Sequence, residues 1–307
     1  MLWIELKMKE LLSNWNLENS TIEILHPTVL KVTSHNNTYY LKNRKHSSFT
    51  ERMEEFRITR YLVNNGFPAE TPLLTKHEEA FIAMGEGYHS LYASFEGASP
   101  MSSKVMDSAQ FFSLGENLAW YHFILNACPI KENTVIWDVY GNLKSWLSVN
   151  IHGLNDWAGR VYEVIAPCEA LFGGLPLQLV HSDVHLRNVL WDEEGIISGL
   201  IDFEKVRQSP RVADIAYLIT SILRDSAMDG QFVFPSRKIN RLLNGYTSRQ
   251  HLSDAEVICL PPLIIVFLLQ YTLYYSRQGL EQEAACYVRR INDLVGKTEF
   301  EEIVTDI

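Results

Sequence analysis

The segment His181-Ser182-Asp183-Val184-His185-Leu186-Arg187-Asn188, followed by Ile201-Asp202-Phe203-Glu204 and then by Asp214-Ile215-Ala216, decides how this sequence is read. Leu179–His181, Val189–Asp192 and Gly199–Phe203 have the apolar, short character of strands. Two carboxylates and an amide therefore gather at the ends of short strands, where side chains project from one rim. Phosphoryl transfer asks little covalent work of a protein. It needs a carboxylate to orient and deprotonate the attacking hydroxyl, oxygen ligands for Mg2+, and a cation on the nucleotide phosphates. Asp183 suits the first task, and Asn188 with Asp202 suits the second, since magnesium prefers a few hard oxygen donors from protein. Loop-capping Asp and Asn residues would explain any one of these positions alone; they do not explain the joint pattern.

Upstream of this segment, residues 1–97 read as a small sheet with helices. Leu2–Trp15 has helical spacing. Thr21–Leu25 and Val29–Ser34 read as strands around His26-Pro27-Thr28, and Asn36-Asn37 marks a hairpin returning as Thr38–Asn43. Phe49–Asn64 is helical and stops at Gly66, and Ala80–Met84 with His89–Phe95 form a second hairpin. From residue 98 the pattern turns helical: Ser102–Leu125 places Phe111, Leu114, Leu118 and Tyr121 on one face. The aromatics Trp137, Tyr140, Trp146, Trp157 and Tyr162 read as packing residues. The predicted division is a nucleotide-binding lobe over residues 1–97 and a catalytic, substrate-binding lobe over 98–307.

At 307 residues, 47% hydrophobic and 21% charged, the chain has the make-up of a globular protein with two lobes. Residues 1–97 carry 12 Glu, no Asp and 10 Lys or Arg, net −2, and the rest carries −8 of the total −10. Without a basic face, nucleic acid is excluded as a partner. The acidic second half admits a cationic substrate and equally admits solvated carboxylates. Cys128, Cys168, Cys259 and Cys286 are too far apart for a zinc or disulfide frame and read as reduced thiols of a cytoplasmic protein. The first ten residues carry charges through their apolar positions and read as no signal peptide. The uncharged run Val257–Tyr275 raises a membrane question, which Pro261-Pro262, Gln270 and Thr272 answer in favour of a buried helix starting near Pro262.

The three motifs resemble those of the aminoglycoside phosphotransferase and choline kinase-like enzymes, whose pattern is H-G-D-x-H-x-x-N, then I-D-F-[DE], then D-x-A. The resemblance implies an α+β, bilobal, protein kinase-like fold: a five-stranded antiparallel N-lobe with one main helix, and a mostly helical C-lobe. It implies that Asp183 is the catalytic base, that Asn188 and Asp202 hold magnesium, and that His181, His185 and Asp214 support the site. In the N-lobe it points to Lys42, in Tyr39-Tyr40-Leu41-Lys42, as the cation on the phosphates of ATP or GTP. Glu55 is the expected partner of Lys42, with Glu51 its rival on the same helix. Tyr92-Ala93-Ser94-Phe95-Glu96-Gly97 resembles the linker whose backbone binds adenine, which makes Phe95 a nucleotide-binding position. Leu114–His122 resembles a scaffold helix ending in Leu-His. Two positions depart from the family pattern: the turn Leu25–Thr28 lacks glycine, and Ser182 replaces the usual glycine. The implied reaction phosphorylates a hydroxyl of a small molecule such as an aminoglycoside, an amino alcohol or a homoserine-like metabolite. A protein kinase is disfavoured by the short stretch from Asp202 to Asp214, and a nucleotide-binding pseudoenzyme of the same fold is the alternative.

Overall fold

A computed structural model describes residues 2–100, 102–130, 134–149, 154–225, 234–297 and 300. The first part comprises α1 (Leu2–Leu12), β1 (Thr21–His26), β2 (Val29–Ser34), β3 (Asn37–Arg44), α2 (Phe49–Asn64), β4 (Pro72–Leu73), β5 (Ile82–Met84) and β6 (Gly87–Ala93). The remainder comprises α3 (Ser108–Asn126), α4 (Val139–Leu147), α5 (Asn155–Ile165), α6 (Pro167–Gly173), β7 (Gln178–Val180), β8 (Val189–Trp191), β9 (Ile197–Leu200), β10 (Arg207–Ser209), α7 (Val212–Asp225), α8 (Ser236–Thr247), α9 (Asp254–Arg277) and α10 (Glu281–Leu294). This is an α+β fold with an antiparallel sheet first and a helical part after it.

The sheet runs β1-β2-β3-β6-β4, with β5 also on β6. It has one strand more than the expected five, because Pro72–Leu73 pairs with Leu91 and Tyr92 and is too short to leave a periodic signal. The register Val29↔Lys42 to Ser34↔Asn37 sets β3 beside β2. Strand alternation then sorts β3 by face. Leu41 joins Val32, Leu91 and the α1 residues Leu11 and Leu12 in one apolar cluster. Tyr40, Lys42 and Arg44 point the other way. β3 continues past the expected end at Asn43, and this extension brings Arg44 into the sheet.

Helix α2 starts at a reciprocal capping box: Glu51 N–H donates to Ser48 Oγ, and Ser48 N–H donates to Glu51 Oε2 at 2.6 Å. Such a box contributes about 1 kcal/mol. Ile58 and Leu62 of this helix belong to the large core of the C-terminal part, together with Phe67 and Ala69. The two parts are further joined by a parallel bridge between Ala69 and Leu200, in which Glu70 N–H donates to Leu200 O and Leu200 N–H to Pro68 O, both at 2.8 Å. Gly97 carries the chain across at φ +104°, and a Cβ there would sit 2.1 Å from Trp191 O.

Helix α9 lies at the centre of the helical part, packed by α4, α5, α6, α7 and α10. It is long and apolar enough to cross a membrane, yet 61% of its apolar window is buried in the protein. It does not start near Pro262 as expected. Pro261 and Pro262 lie inside it, because the Ser253–Glu256 capping box begins the helix two turns earlier. Arg211 clamps that cap, with Nε 2.7 Å from Glu256 Oε1 and Nη2 3.1 Å from Oε2. Burial works against the Glu256 charge, but the Arg211 and Ser253 hydrogen bonds hold its carboxyl below the ordinary value. A depressed folded pKa stabilises above the unfolded pKa and stops doing so as pH falls through the folded one. Glu256→Gln is therefore expected to cost about 1.5–3 kcal/mol at neutral pH, the worth of hydrogen bonds to a charged group, a difference that shrinks below about pH 4.5. Urea titrations of both proteins across that range measure it.

Candidate active site

The loop from β7 to β8 is held from beneath by α7. Asp214, in the first turn of α7, accepts the His181 N–H at 2.7 Å on Oδ2 and the Ser182 N–H at 2.9 Å on Oδ1. His122 Nε2 stands 3.3 Å from the same Oδ2, and its Nδ1 is 2.9 Å from the Tyr246 hydroxyl. Complete burial holds the His122 imidazole below its ordinary pKa against the pull of Asp214, so a neutral ring donating from Nε2 satisfies both contacts. Ser182 has φ +56°, a left-handed conformation in which glycine is the unstrained choice. Its hydroxyl donates to the Lys205 carbonyl. His181 Nε2 lies 3.0 Å from Ile201 O, and its ring packs on Phe203 at 4.9 Å.

The Asp183 carboxylate is 12% exposed and has two partners. Lys205 Nζ donates to Oδ2 at 2.9 Å, and the Tyr217 hydroxyl donates to Oδ1 at 3.0 Å. Burial opposes its ionisation, but the Lys205 hydrogen bond and charge, with His185 and Tyr217, hold the carboxyl below its ordinary value. Asp183 is thus an ionised carboxylate held in a fixed direction. His185 is half-buried beside it; burial pulls its imidazole down and the Asp183 charge resists. Asn188 donates Nδ2–H to the Asp183 carbonyl at 3.0 Å, and its own carbonyl accepts the Ile201 N–H at 3.0 Å. Those two bonds place Asn188 next to Asp202.

At the N-terminal end of the site, Lys42 Nζ lies 2.6 Å from Glu70 Oε2 and 4.9 Å from the Tyr92 ring centre. The same Glu70 oxygen accepts the Asp202 N–H at 3.0 Å. The expected partner of Lys42 was Glu55, and the structure corrects that pairing. Glu55 is taken by Arg52, one turn earlier on α2, and by the Tyr92 hydroxyl at 3.2 Å; burial pushes its carboxyl up. Its rival Glu51 is consumed by the Ser48 cap. Glu70 escapes a count along the helix because it lies beyond it, in Phe67-Pro68-Ala69-Glu70. The one sequence signal was a carboxylate set in an apolar connection. Arg44 was also missed: its Nη2 is 2.7 Å from Asp202 Oδ1, and its Nη1 pairs with Glu204.

The donor set suits magnesium. Asn188 keeps its amide oxygen and Asp202 keeps Oδ2, with Oδ1 on Arg44. Burial opposes the Asp202 charge, but Lys42 and Arg44 hold its carboxyl below the ordinary value. No group of three or more His, Cys, Asp or Glu able to hold a metal occurs among the described residues, and two oxygen donors are what an ion that keeps waters and phosphate oxygens requires. Phe95, half-buried, packs its ring on Gly199, where a Cβ would come within 2.7 Å of it. The turn after β1 needs no glycine for its shape, since no residue from Leu25 to Val29 has a positive φ. His26 Nδ1 instead lies 2.9 Å from Thr28 Oγ1.

No curated protein sequence matches the chain. Among solved structures, the chain is similar to the amicoumacin kinase hAmiN in complex with AMP-PNP, Ca2+ and Ami (19% identity, 95% of this chain and 93% of that one, TM-score 0.75). It is also similar to a microcompartment-associated aminopropanol kinase (16% identity, 97% and 99% coverage, TM-score 0.76). A third similar structure is an aminoglycoside phosphotransferase from Alicyclobacillus acidocaldarius (15% identity, 97% and 96% coverage, TM-score 0.71). At these identities the likeness shows the shared kinase-like fold. The sequence itself goes further: the model of the phosphotransferase enzyme family matches residues 23–247, a span that contains Lys42, Asp183, Asn188, Asp202 and Asp214, and the chain belongs to that family.

Proposed function

We propose that the chain moves the γ-phosphoryl group of ATP, or of a related nucleotide, to a hydroxyl of a small molecule. The observation that carries this reading is the meeting at one rim of an ionised, doubly held Asp183, the oxygen pair Asn188 and Asp202, and a buried Lys42. In the reaction, the acceptor hydroxyl oxygen bonds to the γ-phosphorus as the bond from that phosphorus to the β–γ bridging oxygen breaks, and ADP leaves. The hydroxyl proton passes to the Asp183 carboxylate. Tyr217 and Lys205 fix the direction of that carboxylate, and Lys42, placed by Glu70, faces the phosphates. Magnesium held by Asn188 and Asp202 would supply charge neutralisation on the phosphate oxygens.

A protein acceptor is disfavoured. The segment from Phe203 to Ala213 holds only a 3-10 turn, β10 and the start of α7, which leaves no room for an activation segment. A pseudoenzyme would have no use for an ionised Asp183 with two partners. Thermal unfolding with ATP, GTP, Mg2+ and their combinations tests the nucleotide reading. A nucleotide at 100 times its Kd is expected to stabilise the protein by about 2.7 kcal/mol, with the larger shift when Mg2+ is present. No shift with either nucleotide sinks the proposal.

A further inference from the structure

Behind Tyr217, which orients Asp183, stands a group of side chains that the transfer chemistry does not employ. The Tyr217 hydroxyl that donates to Asp183 also lies 2.7 Å from the Tyr271 hydroxyl. The Arg224 guanidinium sits over the Tyr271 ring, with Cζ 4.0 Å from its centre. Arg224 also donates from Nε to the Tyr287 hydroxyl at 3.0 Å and from Nη2 to the Tyr275 hydroxyl at 3.4 Å. Tyr217 and Arg224 are two helical turns apart on α7 and so share its face. Tyr275 and Tyr287 stack at 5.5 Å with an interplanar angle of 8°, which makes the support for the guanidinium rigid.

Among the described residues no carboxylate pairs with Arg224; its partners are neutral phenols. The adjacent Asp225 is turned to Ser102 and Ser103. The neighbouring charges add to the imbalance. Lys205 stands on Asp183 and is half-exposed, and the Arg224 charge reaches His185 in the catalytic loop. Among the described residues the one carboxylate in contact with this group is Asp183, and it is already engaged twice. A cationic amine would meet two cations here, Lys205 and Arg224, and among the described residues no carboxylate left unengaged. A partly buried guanidinium whose partners among the described residues are neutral phenols, held flat on an aromatic ring, is pre-organised for the paired oxygens of an anion.

Resting on the phosphotransferase reading, we propose that the acceptor alcohol carries an oxyanion, a carboxylate or a phosphate, which Arg224 binds while the hydroxyl faces Asp183. This names a substrate class opposite in charge to the cationic one that the acidity of the second half allows. It also gives the Tyr217–Tyr271 pair a place, as the bridge between the reacting end and the anchoring end of one small molecule.

The test incubates the full chain with Mg2+, γ-18O-labelled ATP and a polar metabolite extract, and identifies labelled phosphate esters by mass spectrometry. A labelled product bearing a carboxylate or a second phosphate is expected, and its mass separates those two sources. A labelled ester of a neutral or cationic alcohol overturns the inference and leaves the phosphotransferase reading intact. No labelled ester at all removes both. With the product known, Arg224→Gln is expected to lower kcat/KM for that acceptor by about 10²-fold, mainly through KM, and Arg224→Lys to recover part of the loss. The nucleotide Kd of each variant, measured by calorimetry, is the check on folding. Equal KM values for wild type and Arg224→Gln, in a variant that still binds nucleotide, would remove Arg224 from acceptor recognition.

Discussion

Asp183→Ala is expected to lower kcat by about 10³-fold, within the range that a positioned general base contributes, while nucleotide binding persists. The reason lies in how the carboxylate is held. Asp183 has Lys205 on one oxygen and Tyr217 on the other, so its direction is set before any acceptor arrives, and the charges around it keep it ionised. Alanine removes the proposed proton acceptor and frees Lys205, yet leaves intact the Asp214 hydrogen bonds that shape the loop backbone. The variant should therefore fold, show the nucleotide-dependent thermal shift, and turn over poorly. Steady-state rates with the best acceptor, read beside that shift, separate a lost base from a lost fold. A rate within threefold of wild type would mean that another group takes the proton.

The second large effect is expected at a position the sequence reading passed over. Glu70→Ala should reduce kcat/KM by about 10²–10³-fold, on the order of the 2–5 kcal/mol that breaking a buried hydrogen-bonded charge pair costs. Glu70 does two things with one oxygen: it holds Lys42 at 2.6 Å and accepts the Asp202 N–H at 3.0 Å. Its loss unsettles Lys42 and Asp202, the proposed phosphate cation and metal ligand, together. Glu55→Ala should lower stability more than turnover, because Glu55 serves Arg52 and Tyr92. Measuring kcat/KM and the unfolding free energy of both variants decides which glutamate positions Lys42. Equal turnover by Glu70→Ala and wild type would return that role to α2.

The unequal legibility of these residues in the sequence has physical causes. Asp183, Asn188, Asp202 and Asp214 lie within one short span whose order and gaps the chemistry constrains, so local sequence carries them. Lys42 is legible as the cation of a strand whose alternate residues are apolar. Glu70 is not, since its position depends on the parallel bridge from Ala69 to Leu200, a long-range pairing without a periodic signal. Arg44 became visible only when β3 proved longer than its apolar alternation suggests. The two partners of Asp183 come from separate stretches, Lys205 after β9 and Tyr217 on α7, and behind Tyr217 stands Tyr271 on α9. No local pattern joins them. Helix α9 shows the opposite failure, in which two prolines argued for a start that a capping box eight residues earlier overrules.

The central claim, transfer of a phosphoryl group to a small-molecule hydroxyl by this rim of residues, is tested most directly by 31P NMR. The full chain is followed with ATP, Mg2+ and mixed small-molecule alcohols, beside Asp183→Ala. A phosphomonoester resonance that grows in step with ADP, and that the variant does not produce, is the expected result. ADP appearing only with inorganic phosphate, or a phosphomonoester formed equally well by both proteins, would contradict it.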